Sequence, residues 1–353
     1  MTTRTYLRPT GFVDAPFGHD GKVARLAGGL QFFSAVELIG PEGAELAPVE
    51  GIEARLDEAG RATWAKLTSS RPPLKLGERV IRLDQPQVAG IVNVTPDSFS
   101  DGGRFADAEA AIAAGHAMAA AGAALVDVGG ESTRPGAQPV WEGDETERVL
   151  PVIRRLAASG TAVSVDTRKA AVMAPALAAG AAMVNDVSAL TWDARAAETV
   201  AKAGCPVVLM HHQGDPAVMQ DDPRYARPVL LEIYDWLEAR IEAAVAAGIA
   251  RGNIVVDPGF GFGKNVQHNL ALMNGLALLH GLGCPVMLGA SRKRTIGALS
   301  GEAPASDRLA GSLALALKAA EQGAQLLRVH DVPETVQALR VWRGLRDAAL
   351  TPG

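Results

Sequence analysis

At 353 residues, with 48% hydrophobic and 21% charged side chains, the chain has the composition of a folded α/β protein and the length for one large domain plus a small one. Its formal net charge is −5 with acidic and basic residues intermixed, which excludes the basic stripe that nucleic-acid binding needs. No run approaches about eighteen uninterrupted apolar residues, and the opening MTTRTYLRPTG lacks the apolar core of a signal peptide, so no membrane partner and a cytoplasmic location are expected.

Residues 1–86 are comparatively rich in Gly, Pro and Glu. Strands are predicted at 30–39 and 79–83 and a weak helix over 52–67, making a small N-terminal α+β extension of unknown role; the SRPP stretch, 70–73, begins a linker. From 87 to 353 short apolar runs alternate with longer Ala- and Leu-rich helical stretches. Strands are predicted at 88–93, 124–128, 162–166, 183–186, 206–210, 253–257, 285–289 and 326–329. They are hydrophobic throughout rather than alternating, as parallel strands buried on both faces should be. The helices carry a 3.6-residue period, as in Leu309, Leu313, Ala316, Leu317 and Ala320, or Val332, Val336, Leu339 and Trp342. Asp331 with Pro333 marks the start of the last helix, and Ser306 is a candidate cap for the helix before it. Eight such units fit a (β/α)8 TIM barrel as the catalytic domain; periodicity leaves an open doubly wound sheet as the other arrangement.

In a barrel the functional face is the carboxyl end of the strands. The first predicted strand ends in Asn93 and opens NVTPDSFSDGG, and the second opens GGESTRPG. The third ends at Asp166, the fourth carries Asn185 and Asp186, and the fifth runs into His211 and His212. The sixth ends at Asp257 before PGFGFGK, the seventh opens Ser291, Arg292, Lys293, and the eighth holds Arg328 and His330. One strand-end Asp is often only a helix cap. Polar groups at all eight ends mark a binding site.

The motifs NVTPDSFSDGG, DVGGESTRPGA, SVDT, NDV, LMH, DPGFGFGK, SRK and RVHD stand in the order of the dihydropteroate synthase family, and the resemblance runs from about Gly90 to Trp342. It implies a TIM-barrel transferase that joins a pterin diphosphate to p-aminobenzoate, uses Mg2+, and works as a homodimer. A carboxylate suits the 2-amino and N3-H donor edge of a pterin, served here by Asp257 or Asp166, and a cation suits its carbonyl edge, served by Lys293. By position, the resemblance implies that Asp166, Asn185, Asp257 and Lys293 hold the pterin, with Met210 and Phe262 lining its slot. It implies Asn93 as a magnesium ligand and Arg328 and His330 at the diphosphate. Asp97, Phe99, Ser100 and Asp101 would lie on a first mobile loop, and Thr133, Arg134 and Pro135 on a second, together forming the p-aminobenzoate pocket. Lys293, Arg328, His330, Asp101 and Arg134 are the residues expected to carry catalysis. Many members have a serine after the lysine of SRK; here Arg294 stands there, so the benzoate carboxylate must be met by backbone amides, Ser291 or Arg294. The doubled His211-His212 is a second departure, replacing a more usual His-Met.

Other signals read plainly. GFGFGK is not a phosphate-binding loop of the Walker type, because Pro258 and Asn265 stand where that pattern needs Gly and Ser or Thr. His211 and His212 lack the Cys or carboxylate partners of a zinc set. Cys205 and Cys284 read as buried thiols, and Arg154 with Arg155 as a solvated helix face. Two rivals are a pterin-binding methyltransferase domain and a catalytically silent pterin-binding protein. The first would not need STRP, SRK and RVHD together, and the second would not keep every site position filled.

Overall fold

The computed structural model describes residues 4–94, 103–132, 139–214 and 222–350. Eight parallel strands, Gln87–Asn93, Leu125–Gly129, Val163–Asp166, Met183–Asp186, Val207–Met210, Ile254–Asp257, Met287–Leu288 and Leu326–Val329, neighbour one another in chain order. The ladder runs from the sixth strand back to the first and on through the eighth to the seventh, and a parallel bridge between Val256 and Val286 joins its two ends. The sheet therefore closes into a (β/α)8 barrel, and the open-sheet alternative falls. Seven strands keep nearly the predicted span; the seventh shrinks from 285–289 to Met287–Leu288.

Successive side chains on a strand point to opposite faces. Outward residues such as Val126, Val128, Val163, Val165, Leu209 and Val256 share one core with Ile153, Leu156, Met173 and Ile241 of the surrounding helices. Inward residues Leu125, Ala162, Met183, Val208, Val255, Met287 and Leu326 form a separate cluster with Leu74, Leu76, Ile81 and Leu83. Those four come from an antiparallel hairpin, Leu74–Leu76 with Arg79–Ile81, and the residues that follow it. The hairpin fills the amino end of the barrel, leaving the carboxyl end for polar groups.

In the extension, strand Phe32–Gly40 pairs antiparallel with Tyr6–Val13, Ala24–Arg25 and Gly43–Pro48. Helix Glu58–Thr68 follows, its first turn capped by the Asp57 side chain on the Gly60 amide at 2.7 Å. Tyr6–Val13, which the sequence analysis did not mark as a strand, accommodates Pro9 because it lies at the edge of its sheet. Leu7, Phe33, Val36, Trp64 and Leu67 make a small core that also takes in Ala277 of the barrel. Polar ties add to that seam: Tyr6 Oη to Asp235 Oδ2 at 2.8 Å, Arg71 Nη2 to the His280 carbonyl at 2.8 Å, and Arg346 Nη1 to Gln31 Oε1 at 3.1 Å.

Two predicted caps are corrected. Asp331 does precede helix Val332–Ala349, but its carboxylate is taken by the Arg292 guanidinium and makes no capping bond. Ser306 lies in a separate turn, Ala305–Asp307, and helix Leu309–Glu321 begins after it at Arg308. Both cysteines are free, Cys284 buried and Cys205 only half-buried, and Arg154 and Arg155 are exposed as expected.

Candidate active site

Two residues above the apolar inward layer, the same face of the strands turns polar. Leu125 is followed on that face by Asp127, Ala162 by Ser164 and then Asp166, and Met183 by Asn185. Val208 is followed by Met210, Val255 by Asp257, and Leu326 by Arg328 and then His330. Asn185 and Asp186 thus part ways. Asn185 faces the barrel interior; the Asp186 carboxylate accepts the Ser188 amide at 2.7 Å, its hydroxyl at 2.6 Å and the Leu190 amide at 3.0 Å, and so shapes the turn after its strand.

At the centre of the polar layer the Arg328 guanidinium bridges two carboxylates, reaching Asp127 Oδ2 and Asp166 Oδ2 at 2.5 Å each. Asn185 Nδ2 donates to Asp127 Oδ2 at 2.9 Å, and the Ser164 hydroxyl to Asp127 Oδ1 at 2.5 Å. Both Asp127 oxygens are therefore engaged. Asp166 differs: its Oδ1 is buried without a hydrogen-bond partner among the described residues. Such an orphan acceptor is costly unless something arrives to use it. Burial pushes the Asp166 carboxyl up to about 7 although Arg328 pulls the other way. Burial also works against the Arg328 charge, but Asp127 and Asp166 more than offset it and hold the guanidinium above its ordinary value.

Opposite them, Asp257 is 4% exposed, and its Oδ1 accepts the Gly259 amide at 2.7 Å. Burial raises its carboxyl too, with Lys293 opposing. The loop beyond it must be glycine-rich to lie where it does. A Cβ on Gly259, at φ +66, would stand 1.8 Å from the His211 carbonyl oxygen, and one on Gly261, at φ +81, 3.2 Å from Lys293 Cδ. The loop in turn aims Lys293, whose amine donates to the Phe260 carbonyl and lies 4.3 Å from the centroid of the Phe262 ring. Burial brings the Lys293 ammonium down to about 7. Behind the loop, Lys264 Nζ stands 2.9 Å from His211 Nδ1 and donates to the Phe262 carbonyl at 3.0 Å. Burial drives both the Lys264 and His211 values well down, which lets these two nitrogens share a hydrogen bond. His211 is an interior strut of this loop, and His212 is half-buried beside Gly214.

The remaining predicted residues divide by location. Ser291 Oγ is 3.0 Å from His330 Nδ1 and accepts the His330 amide at 3.2 Å, so these two act as a unit. Met210 sits beside Asp257 in register, and Asn93 is half-buried at the end of the first strand. Phe99, Asp101, Thr133, Arg134 and Pro135, with Asp97 and Ser100, lie outside the described residues. Asp127, Ser164 and Lys264 were not singled out from the sequence. The signal for Asp127 was present: it stands two residues beyond the inward Leu125, inside DVGGESTRPGA.

The layer as a whole offers buried acceptors on Asp166 and Asp257, one lysine donor over an aromatic ring, and an Arg-His-Ser group on the adjoining strands. Comparison with known proteins supplies the family. The family pattern described as pterin binding enzyme matches residues 89–330. The chain is 47% identical over 275 residues to the dihydropteroate synthase of Neisseria meningitidis serogroup B, covering 76% of this chain and 96% of that protein. Among solved structures, Xanthomonas albilineans dihydropteroate synthase with 4-aminobenzoic acid is 50% identical with a TM-score of 0.74, covering 78% of this chain and 99% of that one. The same enzyme in complex with 7,8-dihydropteroate is 47% identical with a TM-score of 0.71, covering 78% and 99%. Fold, polar layer and similarity lead to one assignment: the chain belongs to the dihydropteroate synthase family of pterin-binding enzymes.

Proposed function

We infer that the protein condenses 6-hydroxymethyl-7,8-dihydropterin diphosphate with p-aminobenzoate to give 7,8-dihydropteroate and diphosphate. The observation that carries this reading is the buried Oδ1 of Asp166, without a hydrogen-bond partner among the described residues, at the same end of the barrel as Asp257 and Lys293. A pterin matches it: the 2-amino and N3-H donors meet the carboxylates, the carbonyl edge meets Lys293, and the flat ring lies among Met210, Phe262 and Asn185. Arg328, His330 and Ser291 then receive the diphosphate. A pterin barrel that transfers a methyl group would have no use for that last trio.

In the reaction the C–O bond to the diphosphate breaks first, and its electron pair leaves with the diphosphate. The pterin methylene carbon becomes cationic, and the carboxylates around the ring stabilise that charge in a buried setting. The lone pair of the p-aminobenzoate amine forms the new C–N bond, and the amine gives up a proton. No protein nucleophile takes part. The donor chemistry at the first strand fits magnesium: Asn93 ends the strand that pairs with the one carrying Arg328 and offers a neutral amide oxygen, a ligand type that such a hard cation would accept. A magnesium ion held there would supply positive charge against the diphosphate. Asp101, Arg134, Phe99, Thr133 and Pro135 belong to the p-aminobenzoate side of this reading.

Diphosphate release is the test. It should require the pterin substrate, and product containing the benzoate should form only with p-aminobenzoate present; release with no condensed product would overturn the reading. No helix among the described residues is long and apolar enough to cross a membrane. A cytoplasmic location is part of the proposal, as is a homodimer, for which Val341 and Leu345, exposed one turn apart on the last helix, offer an apolar strip.

A further inference from the structure

The second and third strands are joined above the barrel by one buried ammonium. Lys169, 2% exposed, stands three residues beyond Asp166. Its Nζ donates to the Val140 carbonyl at 2.6 Å and to Glu145 Oε2 at 2.6 Å, and lies 3.2 Å from Glu131 Oε1. The same Glu131 oxygen accepts the Val140 amide at 2.9 Å. Glu131 precedes and Val140 follows the stretch that contains Thr133, Arg134 and Pro135, so both ends of that stretch converge on a single nitrogen. Arg168 adds a second cation, 3.5 Å from Glu131 Oε2, and packs its guanidinium 4.8 Å from the centroid of the Trp192 ring.

Glu145 is fully buried, and its Oε1 has no hydrogen-bond partner among the described residues. Lys169 is therefore the group that compensates its charge. A buried carboxylate held this way keeps a fixed geometry, because any displacement of the ammonium strands it.

We propose that Lys169 is a positioning residue for p-aminobenzoate: it fixes the two ends of the stretch carrying Thr133, Arg134 and Pro135, and so governs use of the amine substrate rather than binding of the pterin. The inference rests on the assignment of those three residues to the p-aminobenzoate pocket.

Lys169→Met alone would leave Glu145 uncompensated, so the test uses Lys169→Met paired with Glu145→Gln, which keeps shape and removes both charges. Lys169→Arg accompanies it as the conservative change. The paired variant should raise KM for p-aminobenzoate about ten- to a hundredfold, the scale of effect that a displacement of about 1 Å has on a bound reactant. The affinity for pterin diphosphate, measured by calorimetry, should stay at the parent's value, and Lys169→Arg should fall between. An unchanged p-aminobenzoate KM, or an equal loss of pterin affinity, overturns the proposal. Should the paired variant fail to fold, Lys169→Arg decides on the same two constants. Arg134→Ala separates the layers of the argument. If it raises the p-aminobenzoate KM while the paired variant leaves it unchanged, the pocket assignment stands and the role of Lys169 falls; if neither variant raises it, both fall together.

Discussion

Asp257 and Lys293 show how single side chains in this site trade stability for recognition. A carboxylate at 257 can accept from two pterin donors, whereas an asparagine turns a donor toward a donor. Asp257→Asn should weaken pterin diphosphate binding by about thirtyfold to several thousandfold, the equivalent of about 2–5 kcal/mol for a buried charge-assisted pair left half made, with the melting temperature little changed. Affinity close to the parent's would reduce Asp257 to the cap of its own loop, where it already holds the Gly259 amide. Lys293 carries the opposite signature. Its ammonium titrates at about 7 in the fold against an ordinary 10.5. Between those values the unfolded chain binds more protons, so the parent gains stability from this group as pH rises, while below about 7 the burial cost is fully present. Lys293→Met should therefore raise the melting temperature of the ligand-free protein most below pH 7, with the gain shrinking toward pH 10, and cost roughly ten- to a hundredfold in kcat/KM through the lost charge-assisted bond. A melting temperature independent of this change at every pH would show that Lys293 is well solvated. Asp257, Asp166 and Lys293 were legible in the sequence because they end strands or open loops. Asp127 was not, because it sits inside a strand, and only the inward or outward parity of its neighbours shows that it faces the site.

The barrel strands were legible almost to the residue, since continuous Val- and Leu-rich runs bounded by Gly and Asp leave few other readings. The hairpin ahead of them was half seen. Arg79–Ile81 falls within the predicted 79–83 strand, but Leu74–Leu76 is too short to carry a period of its own, and its role as a floor depends on a closed ring that pattern alone cannot show. That floor bears on where the barrel can begin. A division at 86/87, drawn from composition, separates the extension from the site, and it remains our proposal for the division of function. A chain starting at residue 84 would nevertheless lose Leu74, Leu76, Ile81 and Leu83 from beneath the inward layer. At about 1.5–3 kcal/mol for each buried side chain, that approaches the whole stability of a typical domain, about 5–15 kcal/mol. A chain starting at residue 72 should bind pterin diphosphate and melt cooperatively, whereas one starting at 84 should melt far lower or fail to fold. Equal melting temperatures for the two would show that the floor contributes little.

At the scale of the whole molecule, the proposed pterin and diphosphate positions differ from the proposed p-aminobenzoate position in what supports them. The acceptors on Asp166 and Asp257 and the group of Arg328, His330 and Ser291 are set by barrel strands packed into the core. In the reading proposed above, the p-aminobenzoate contacts come from the segments 94–105 and 129–141, which are rich in Gly, Pro, Ser and Asp. This part of the reading comes only from the family resemblance, because these segments of the sequence carry no periodicity to read. The amine must also stand against the pterin methylene carbon, so one wall of its pocket is the first substrate itself. A molecule as small as p-aminobenzoate buries too little surface to bind tightly when one wall of its pocket is missing. Binding should therefore be sequential. Calorimetry should detect p-aminobenzoate only once the pterin and diphosphate positions are filled in the presence of magnesium, with no measurable heat on the empty protein. Tight binding to the ligand-free chain would mean that the pocket stands complete on its own, and would move the origin of substrate order from binding to chemistry.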